Sequence, residues 1–155
     1  METMADFHIF DVSQMLPKVS FKVNERPTKE QISQINKYNL PADYLQFLSQ
    51  CNGMSLFDDG LRIPRCTINS IDEVLKYRKM FYDAGFTDNW ENRFPIASVR
   101  DCGMLEIEVD KFVAGEPYLR YPDESGLYFK LDFITWLENY LMSCGNEFWY
   151  FSNPL

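Results

Sequence analysis

Short β-rich segments follow one another in the second half of the chain, and no helical pattern separates them. They are FPIASV (94–99), GMLEIEVDKF (103–112), PYLRYP (117–122) and GLYFKL (126–131), and Gly, Pro, Asp and Glu residues stand between them. Consecutive strands joined by short polar turns form an antiparallel meander. The sequence therefore predicts that this region is one antiparallel sheet.

The segment at 103–112 alternates apolar and acidic residues with the period of two that a strand imposes. Its apolar positions are Leu105, Ile107 and Val109, and its acidic positions are Glu106, Glu108 and Asp110. We expect the apolar side chains to face the core and the carboxylates to form a solvated face. Arg120 and Lys130, on neighbouring strands, can offset this acidic charge across the sheet.

Capping boxes mark the start of two helices, because a Ser or Thr side chain and a Glu or Gln three residues later satisfy amides of the first turn. Thr28 and Gln31 predict a helix that ends near Asn39. An equivalent pair at 70 and 73 predicts a longer helix that continues to residue 85. Arg78 falls within the apolar stripe of this longer helix, and we expect it to extend along the edge of the stripe toward water.

Residues 41–52 have the pattern of a buried helix with both ends marked. Pro41 suits the first helical position, because proline lacks the amide that would be unbonded there. A stripe at helical spacing follows, made of Tyr44, Phe47, Leu48 and Cys51. Asn52-Gly53 is expected to end the helix, because glycine adopts the left-handed backbone of a C-cap at little cost.

A closing helix is predicted from Asp132, a good N-cap, to Gly145, with a broad apolar face that must cover the sheet. Helices, then strands, then a helix indicate an α+β domain: an antiparallel sheet of about four to six strands with helices mainly on one face. A single domain over residues 1–155 is expected at this length. The aromatic tail EFWYFSNPL should dock on this domain or, as the alternative, on a partner.

Charge and hydropathy exclude several classes of partner. Lys and Arg number 15 against 23 Asp and Glu, which gives a net charge of −8. The resulting field repels nucleic-acid backbones and anionic lipid, so neither is an expected partner. No apolar run is long enough for a membrane helix, and the N-terminus lacks the pattern of a signal peptide. We therefore expect a cytoplasmic protein.

The cysteines and the single histidine do not form a metal-site pattern. Cys51, Cys66, Cys102 and Cys144 lie far apart in the chain and form no CxxC pair. We expect reduced, mostly buried thiols and neither a metal nor a cofactor. Cys102 could be a nucleophile in its turn, but His8 is the one histidine and lies near the terminus, so no base is well placed.

Two acidic groups could hold a cation, and each has a simpler interpretation. The acidic strand face of residues 106–110 could bind a divalent ion or supply an acid/base pair, yet alternating charges are also what a solvated sheet face contains. Asp58-Asp59-Gly60 has half of a calcium-loop pattern but lacks the closing glutamate, so a turn is favoured.

The string TKEQISQINKYN-LPADYLQFLSQCNG, with its Leu-Pro, Phe-Leu and Asn-Gly pairs, resembles the entry of the SUKH superfamily. FPIASV, the strand led by Gly103 and the helix DFITWLENYL resemble later elements of that family, so the similarity spans about residues 28–142. The family often has a second glycine where Met54 stands and an acidic or amide residue where Met104 stands. These departures leave the subgroup open.

The resemblance implies a function, because the superfamily contains bacterial immunity proteins and cell-wall-assembly regulators of the Smi/Knr type. A non-enzymatic immunity protein that neutralises a toxin by direct binding is the expectation. A regulatory scaffold is the alternative, and an enzyme with an unidentified site is the third possibility. The matching residues have capping or packing roles, so function is expected in the loops and the exposed sheet face. They are Leu40, Pro41, Tyr44, Phe47, Leu48, Asn52, Gly53, Gly103 and Phe133.

An acidic binding protein suits a basic target such as a nuclease toxin, because opposite fields steer encounter and aromatic anchors supply affinity. The alternative is that the acids only maintain solubility. The acidic residues predicted to bind the partner are Asp58, Asp59, Glu106, Glu108, Asp110, Asp123 and Glu124. The predicted aromatic anchors are Tyr118, Tyr121, Tyr128 and Trp149.

Overall fold

A computed structural model describes residues 20–58, 63–85, 89–121 and 127–150 of the chain. Within these ranges, seven strands form one antiparallel sheet whose spatial order is the chain order. The strands are β1 (Ser20–Val23), β2 (Met54–Asp58), β3 (Cys66–Ile68), β4 (Arg93–Val99), β5 (Gly103–Glu108), β6 (Leu119–Tyr121) and β7 (Leu127–Phe129). The helices are α1 (Lys29–Ile35), α2 (Ala42–Gln50), α3 (Ile71–Asp83), α4 (Val109–Val113) and α5 (Phe133–Met142), with 3₁₀ turns at Trp90–Asn92 and Phe148–Tyr150.

The predicted α+β class and antiparallel meander are confirmed, but the predicted strand number of four to six is wrong. The sheet has seven strands, because β1, β2 and β3 extend the meander on the side of β4. These strands are hard to recognise in the sequence. All four residues of β1 are exposed, and β3 has three residues, which is too short to display a period.

The segment expected to be a strand over 103–112 ends as a strand at Glu108 and continues as α4. The reason lies in its neighbour β6, which pairs with β5 at Glu106 and Ile107. A strand continuing past residue 108 would extend beyond its paired neighbour on that side. The backbone N–H of Glu108 donates to the carbonyl of Tyr118 at 2.9 Å, and the chain then turns into helix.

The core is built on a row of side chains that crosses the sheet on one face. Phe94, Ile107, Leu119 and Phe129 are paired in register from β4 to β7, and each is at most 3% exposed. The apolar face of α5 adds buried residues to the same core cluster, namely Phe133, Trp136, Leu137 and Tyr140. The predicted closing helix and the buried part of its apolar face are therefore confirmed, but the helix ends at Met142, before the predicted Gly145, and Leu141 and Cys144 are exposed.

The predicted N-terminal helix signals are confirmed, with one difference. Capping boxes begin α1 at Thr28 and α3 at Ser70, and the Asp132 carboxylate accepts from the Thr135 amide at 2.8 Å. Pro41 is the N-cap of α2 and not its first helical residue. The first helix ends at Ile35, before the predicted Asn39, and a turn leads to Pro41.

Arg78 on α3 is enclosed by aromatic rings, which differs from the expected extension toward water. Its guanidinium carbon lies 4.7, 4.9 and 4.6 Å from the ring centres of Tyr38, Trp90 and Phe94. The guanidinium also donates to the carbonyl of Glu91 at 2.6 Å. Cation–π attraction therefore joins α3 to the turn after α1, to the 3₁₀ turn at Trp90–Asn92 and to the start of β4.

The aromatic tail docks on its own domain over the part that the structure describes. Trp149 is 7% exposed, and its ring centre lies 5.3 Å from that of Tyr121 and 5.5 Å from that of Phe129. Self-docking is confirmed for Phe148 and Trp149, whereas Tyr150 is 55% exposed and residues 151–155 lie outside the described chain. No helix among the described residues is both long and apolar enough to cross a membrane.

Asn52 and Gly53 join the helical half of the chain to the sheet. The Asn52 side-chain oxygen accepts from the amide of Ile71 at 2.8 Å, and its backbone N–H donates to Glu25 at 3.0 Å. Gly53 has φ of +89°, and a Cβ there would lie 2.5 Å from the Ile68 carbonyl oxygen. The expected need for glycine is confirmed, but Cys51, in extended conformation, is the C-cap of α2. The close approach to Ile68 is the additional reason for glycine.

We predict that Gly53→Ala lowers the free energy of unfolding by about 2 kcal/mol or more, from left-handed strain plus the collision with Ile68. Gly85→Ala is the matched control, because Gly85 has φ of +69° and no atom within 4 Å of a Cβ. It should cost about 1 kcal/mol from strain alone. Urea unfolding measures both variants, and equal losses would contradict the role of the collision.

Candidate functional site

A polar row crosses the sheet beside the apolar row and faces the opposite side. Glu106, Arg120 and Tyr128 are paired in register across β5, β6 and β7. Glu108 lies two residues after Glu106, on the same face, and pairs in register with Arg93 of β4. Alternating carboxylates and guanidiniums are therefore brought together on this face, which we call the polar face.

The polar face is held together by hydrogen bonding and cation–π contacts. The Tyr128 hydroxyl donates to the Glu108 carboxylate. Burial and this carboxylate raise the pKa of the Tyr128 hydroxyl, so it remains protonated and able to donate. The Lys111 ammonium lies 5.2 Å and the Arg120 guanidinium carbon 6.0 Å from the ring centre of Tyr128. Tyr128 is thus held by a hydrogen bond from its hydroxyl to Glu108 and by two cations near its ring.

The predicted solvated acidic face is wrong for both glutamates on β5. Glu106 is 5% and Glu108 is 6% exposed, because protein covers both faces of this end of β5. Asp110 is exposed, but it lies on α4, where its carboxylate accepts from the Asn89 side chain at 3.0 Å. The three acids therefore form no common surface for a partner.

The other predicted partner-binding acids lie apart from this row. Asp58 is the last residue of β2 and is half-buried. Asp59, Asp123 and Glu124 fall outside the described residues. The structure therefore does not bring these residues into one described surface.

Among the predicted aromatic anchors, Tyr121 and Trp149 are core residues, at 1% and 7% exposure. Tyr128 is half-buried and bonded to Glu108. Tyr118 is half-buried and packs edge-on against Phe112, with ring centres 5.1 Å apart. Burial, with smaller effects of Asp43 and Asp132, raises the pKa of Tyr118 to about 12. The prediction of free anchors is wrong for Tyr121 and Trp149.

An open groove of about 410 Å³ lies on the same face of the sheet, between α3 and the end of β3, β4 and β5 that leads into the β4–β5 turn. Thr67, Ser98 and Met104 are paired in register across its floor. Glu73 and Tyr77 of α3 form one wall. The remaining lining residues are Ile63, Pro64, Asn69, Val99, Arg100, Asp101 and Gly103. We call this feature the sheet groove.

Sequence reasoning missed the sheet groove because its residues are scattered over three strands, a loop and a helix. Tyr77 lies within the stripe of a predicted helix, a pattern that indicates a core residue, and Met104 is an isolated apolar residue on the strand face that was predicted to be solvated. Both are half-buried in the structure. The alternation in β5 does place Met104 on the same face as Glu106, but the position of α3 is a tertiary feature.

The cysteine environments disfavour nucleophilic chemistry at Cys102. Its thiol donates to the Glu147 carboxylate, and burial followed by this hydrogen bond raises the pKa of Cys102 to about 12. Burial also raises the pKa of Cys66 and, with partial offset by a backbone hydrogen bond, that of Cys51. Cys144 is exposed, and none of the four cysteines forms a disulfide.

We predict that Cys144 alone reacts rapidly with a thiol reagent at pH 8, because Cys102 is almost entirely protonated at a pKa of about 12. The measurement is a stopped-flow thiol titration of the native protein. Cys144→Ser should remove the fast phase and leave three slow thiols that react only after unfolding. A fast phase that survives in this variant would contradict the assignment.

We predict that Glu108→Lys lowers the free energy of unfolding by on the order of 3 kcal/mol, because it removes a buried carboxylate and adds a cation beside Arg93. Glu138→Lys is the control for the same charge change on an exposed helical residue. It should change stability by about 0.5 kcal/mol or less. Urea unfolding measures both, and a small effect of Glu108→Lys would restore the idea of a solvated acidic face.

No family model matches this sequence. The chain is 32% identical over 124 residues to the uncharacterised protein YobM of Bacillus subtilis (strain 168), an alignment that covers 74% of this chain. The chain spans 63% of the length of YobM.

Among the described residues, no group of three or more His, Cys, Asp or Glu side chains is arranged to hold a metal ion.

Proposed function

We propose that this chain is a non-enzymatic, cytoplasmic binding protein of the SUKH type that neutralises a toxin by direct binding. The observation that carries the binding role is the sheet groove, an open surface on which Tyr, Met and Arg side chains lie together. These residue types are enriched in protein–protein interfaces. The buried carboxylates of the polar face do not line the groove, so they are not part of the proposed contact surface.

The groove has features that suit a protein partner. Tyr77 supplies a rigid amphipathic ring, and Met104 supplies a flexible apolar side chain that adapts to an incoming surface. Exposed Ile63 extends the apolar area at one end of the groove. Arg100 and Asp101 lie at the rim, where charged groups set orientation more than affinity.

The charge of the chain supports a basic target, such as a nuclease toxin. The net charge is −8, so a positively charged partner is attracted over the whole surface. The exposed acid Asp101 and the half-buried acid Glu73 line the groove, so they can take the steering role that was expected of Glu106 and Glu108. Steering therefore arises from the overall field and from these acids.

Support for the SUKH assignment comes from the residues that carry the resemblance, several of which have clear structural roles. Pro41 caps the second helix, Asn52 and Gly53 join it to the sheet, and Phe133 opens the closing helix. The superfamily contains immunity proteins, which gives the proposed role. The superfamily also contains cell-wall-assembly regulators, which gives the alternative.

The test is to co-express the chain with the product of a toxin gene adjoining its own and to measure growth and complex formation. We expect protection of growth and a 1:1 complex whose association slows as salt is added. Ser98→Arg places a long side chain on the groove floor and should weaken binding by at least tenfold, whereas Ser49→Arg on an exposed helical surface should leave it unchanged.

Two results would count against this proposal. Equal binding by the Ser98 and Ser49 variants, both confirmed as folded by circular dichroism, would remove the groove from the interface. A chain that fails to bind or protect against the neighbouring toxin, or that has no toxin gene beside it, would favour the regulatory scaffold of the cell-wall type.

A further inference from the structure

A second pocket, of about 240 Å³, lies on the other side of the β4–β5 turn from the sheet groove, beside the end of α5. Its charged and polar lining residues are Arg65, Arg100, Asp101, Tyr140 and Glu147. Val99 and Gly145 complete the lining. We call it the turn pocket. Its volume lies below the roughly 300–1,000 Å³ of sites for larger organic ligands, so it suits a group of few atoms.

Tyr140 points to a missing hydrogen-bond partner in this pocket. Its side chain is fully buried, and its hydroxyl has no hydrogen-bond partner among the described residues. A buried polar group without a partner costs about 1–3 kcal/mol, so a ligand that accepts its proton gains that interaction. Burial raises the pKa of Tyr140, and the hydroxyl is therefore a donor at neutral pH.

Arg65 provides a positive charge in the same pocket, because Arg65 and Tyr140 both line it. The backbone of Arg65 is fixed on both sides, because its N–H donates to Phe57 at 3.3 Å and its carbonyl accepts from Arg100 at 2.8 Å. No described carboxylate forms an ion pair with its guanidinium.

The two acids of the pocket restrict the charge of the ligand. Glu147 accepts the Cys102 thiol proton in a hydrogen bond, and Asp101 is exposed at the turn with φ of +62°. Both would repel a doubly charged phosphate more strongly than a singly charged carboxylate. A planar carboxylate also matches the fork of donors on a guanidinium.

We propose that the turn pocket binds a carboxylate group, held by the guanidinium of Arg65 and by the hydroxyl of Tyr140. The group is either a small free carboxylic acid or an aspartate or glutamate side chain of a bound protein. Both sources present the same planar monoanion to the same donors. This inference does not depend on the toxin-binding proposal, because its test uses the purified chain and small probes.

The experiment is a titration of the full chain, followed by two-dimensional ¹H–¹⁵N NMR, with sodium acetate, with N-acetyl-aspartate amide and with inorganic phosphate at constant ionic strength. We expect saturable shifts of the Arg65, Arg100 and Gly145 amides with a carboxylate probe. The concentration of the carboxylate probe at half-saturation, which we call the midpoint, should be lower than that of phosphate. Saturation by acetate would indicate that the natural ligand is a small free carboxylic acid. Saturation by N-acetyl-aspartate amide and not by acetate would indicate that the ligand is an acidic side chain of a bound protein.

Variants test the two donors separately. Tyr140→Phe removes one hydroxyl and should raise the midpoint by about tenfold, as expected for one hydrogen bond to a charged acceptor. Tyr82→Phe is the control at an exposed tyrosine. Arg65→Met should abolish saturation, whereas Arg26→Met, at an exposed arginine, should not.

Three outcomes would overturn the proposal. The first is the absence of saturable shifts with either carboxylate probe. The second is tighter binding of phosphate, which would identify a phosphate site. The third is the same midpoint in Arg65→Met, with its fold confirmed by its spectrum, as in the unchanged chain.

Discussion

The burial of β5 on both faces is the constraint on which the rest of the structure depends. One face carries Ile107 in the apolar row of the core, and the other carries Glu106 and Glu108 at no more than 6% exposure. Buried carboxylates are costly unless neighbouring groups satisfy them. Arg120 and Tyr128 on the next two strands, and Arg93 on the strand before, are placed by register to do so.

The helical half of the chain is fixed to this sheet at a small number of polar and cationic contacts. The Asn52 side chain accepts a hydrogen bond from the start of α3, and the absence of a side chain at Gly53 allows close packing, since a Cβ there would lie 2.5 Å from the Ile68 carbonyl oxygen. Arg78 binds three aromatic rings at the far end of α3. With both ends of α3 fixed in this way, its Glu73 and Tyr77 form a wall of the sheet groove.

The β4–β5 turn connects the two surfaces to which we assign binding. Val99, Arg100 and Asp101 line both the sheet groove and the turn pocket. A partner in the groove therefore approaches residues that also shape the pocket, and Cys102 of the same turn bonds to Glu147 near the docked aromatic tail. The tail thus contributes to the pocket as well as to the core, since Glu147 directly precedes the 3₁₀ turn that carries Trp149.

The sequence by itself determined the features that depend on neighbouring residues. Capping boxes at Thr28 and Ser70, the N-cap at Asp132 and the meander of β4 to β7 were all predictable, because each is a local pattern of donors or of hydrophobic period. The tertiary structure decided which face of a strand is solvated. Alternation showed that Glu106 and Glu108 share a face, but only the packing of distant segments buried that face, and only that packing placed Tyr77 beside Met104 and Tyr140 beside Arg65.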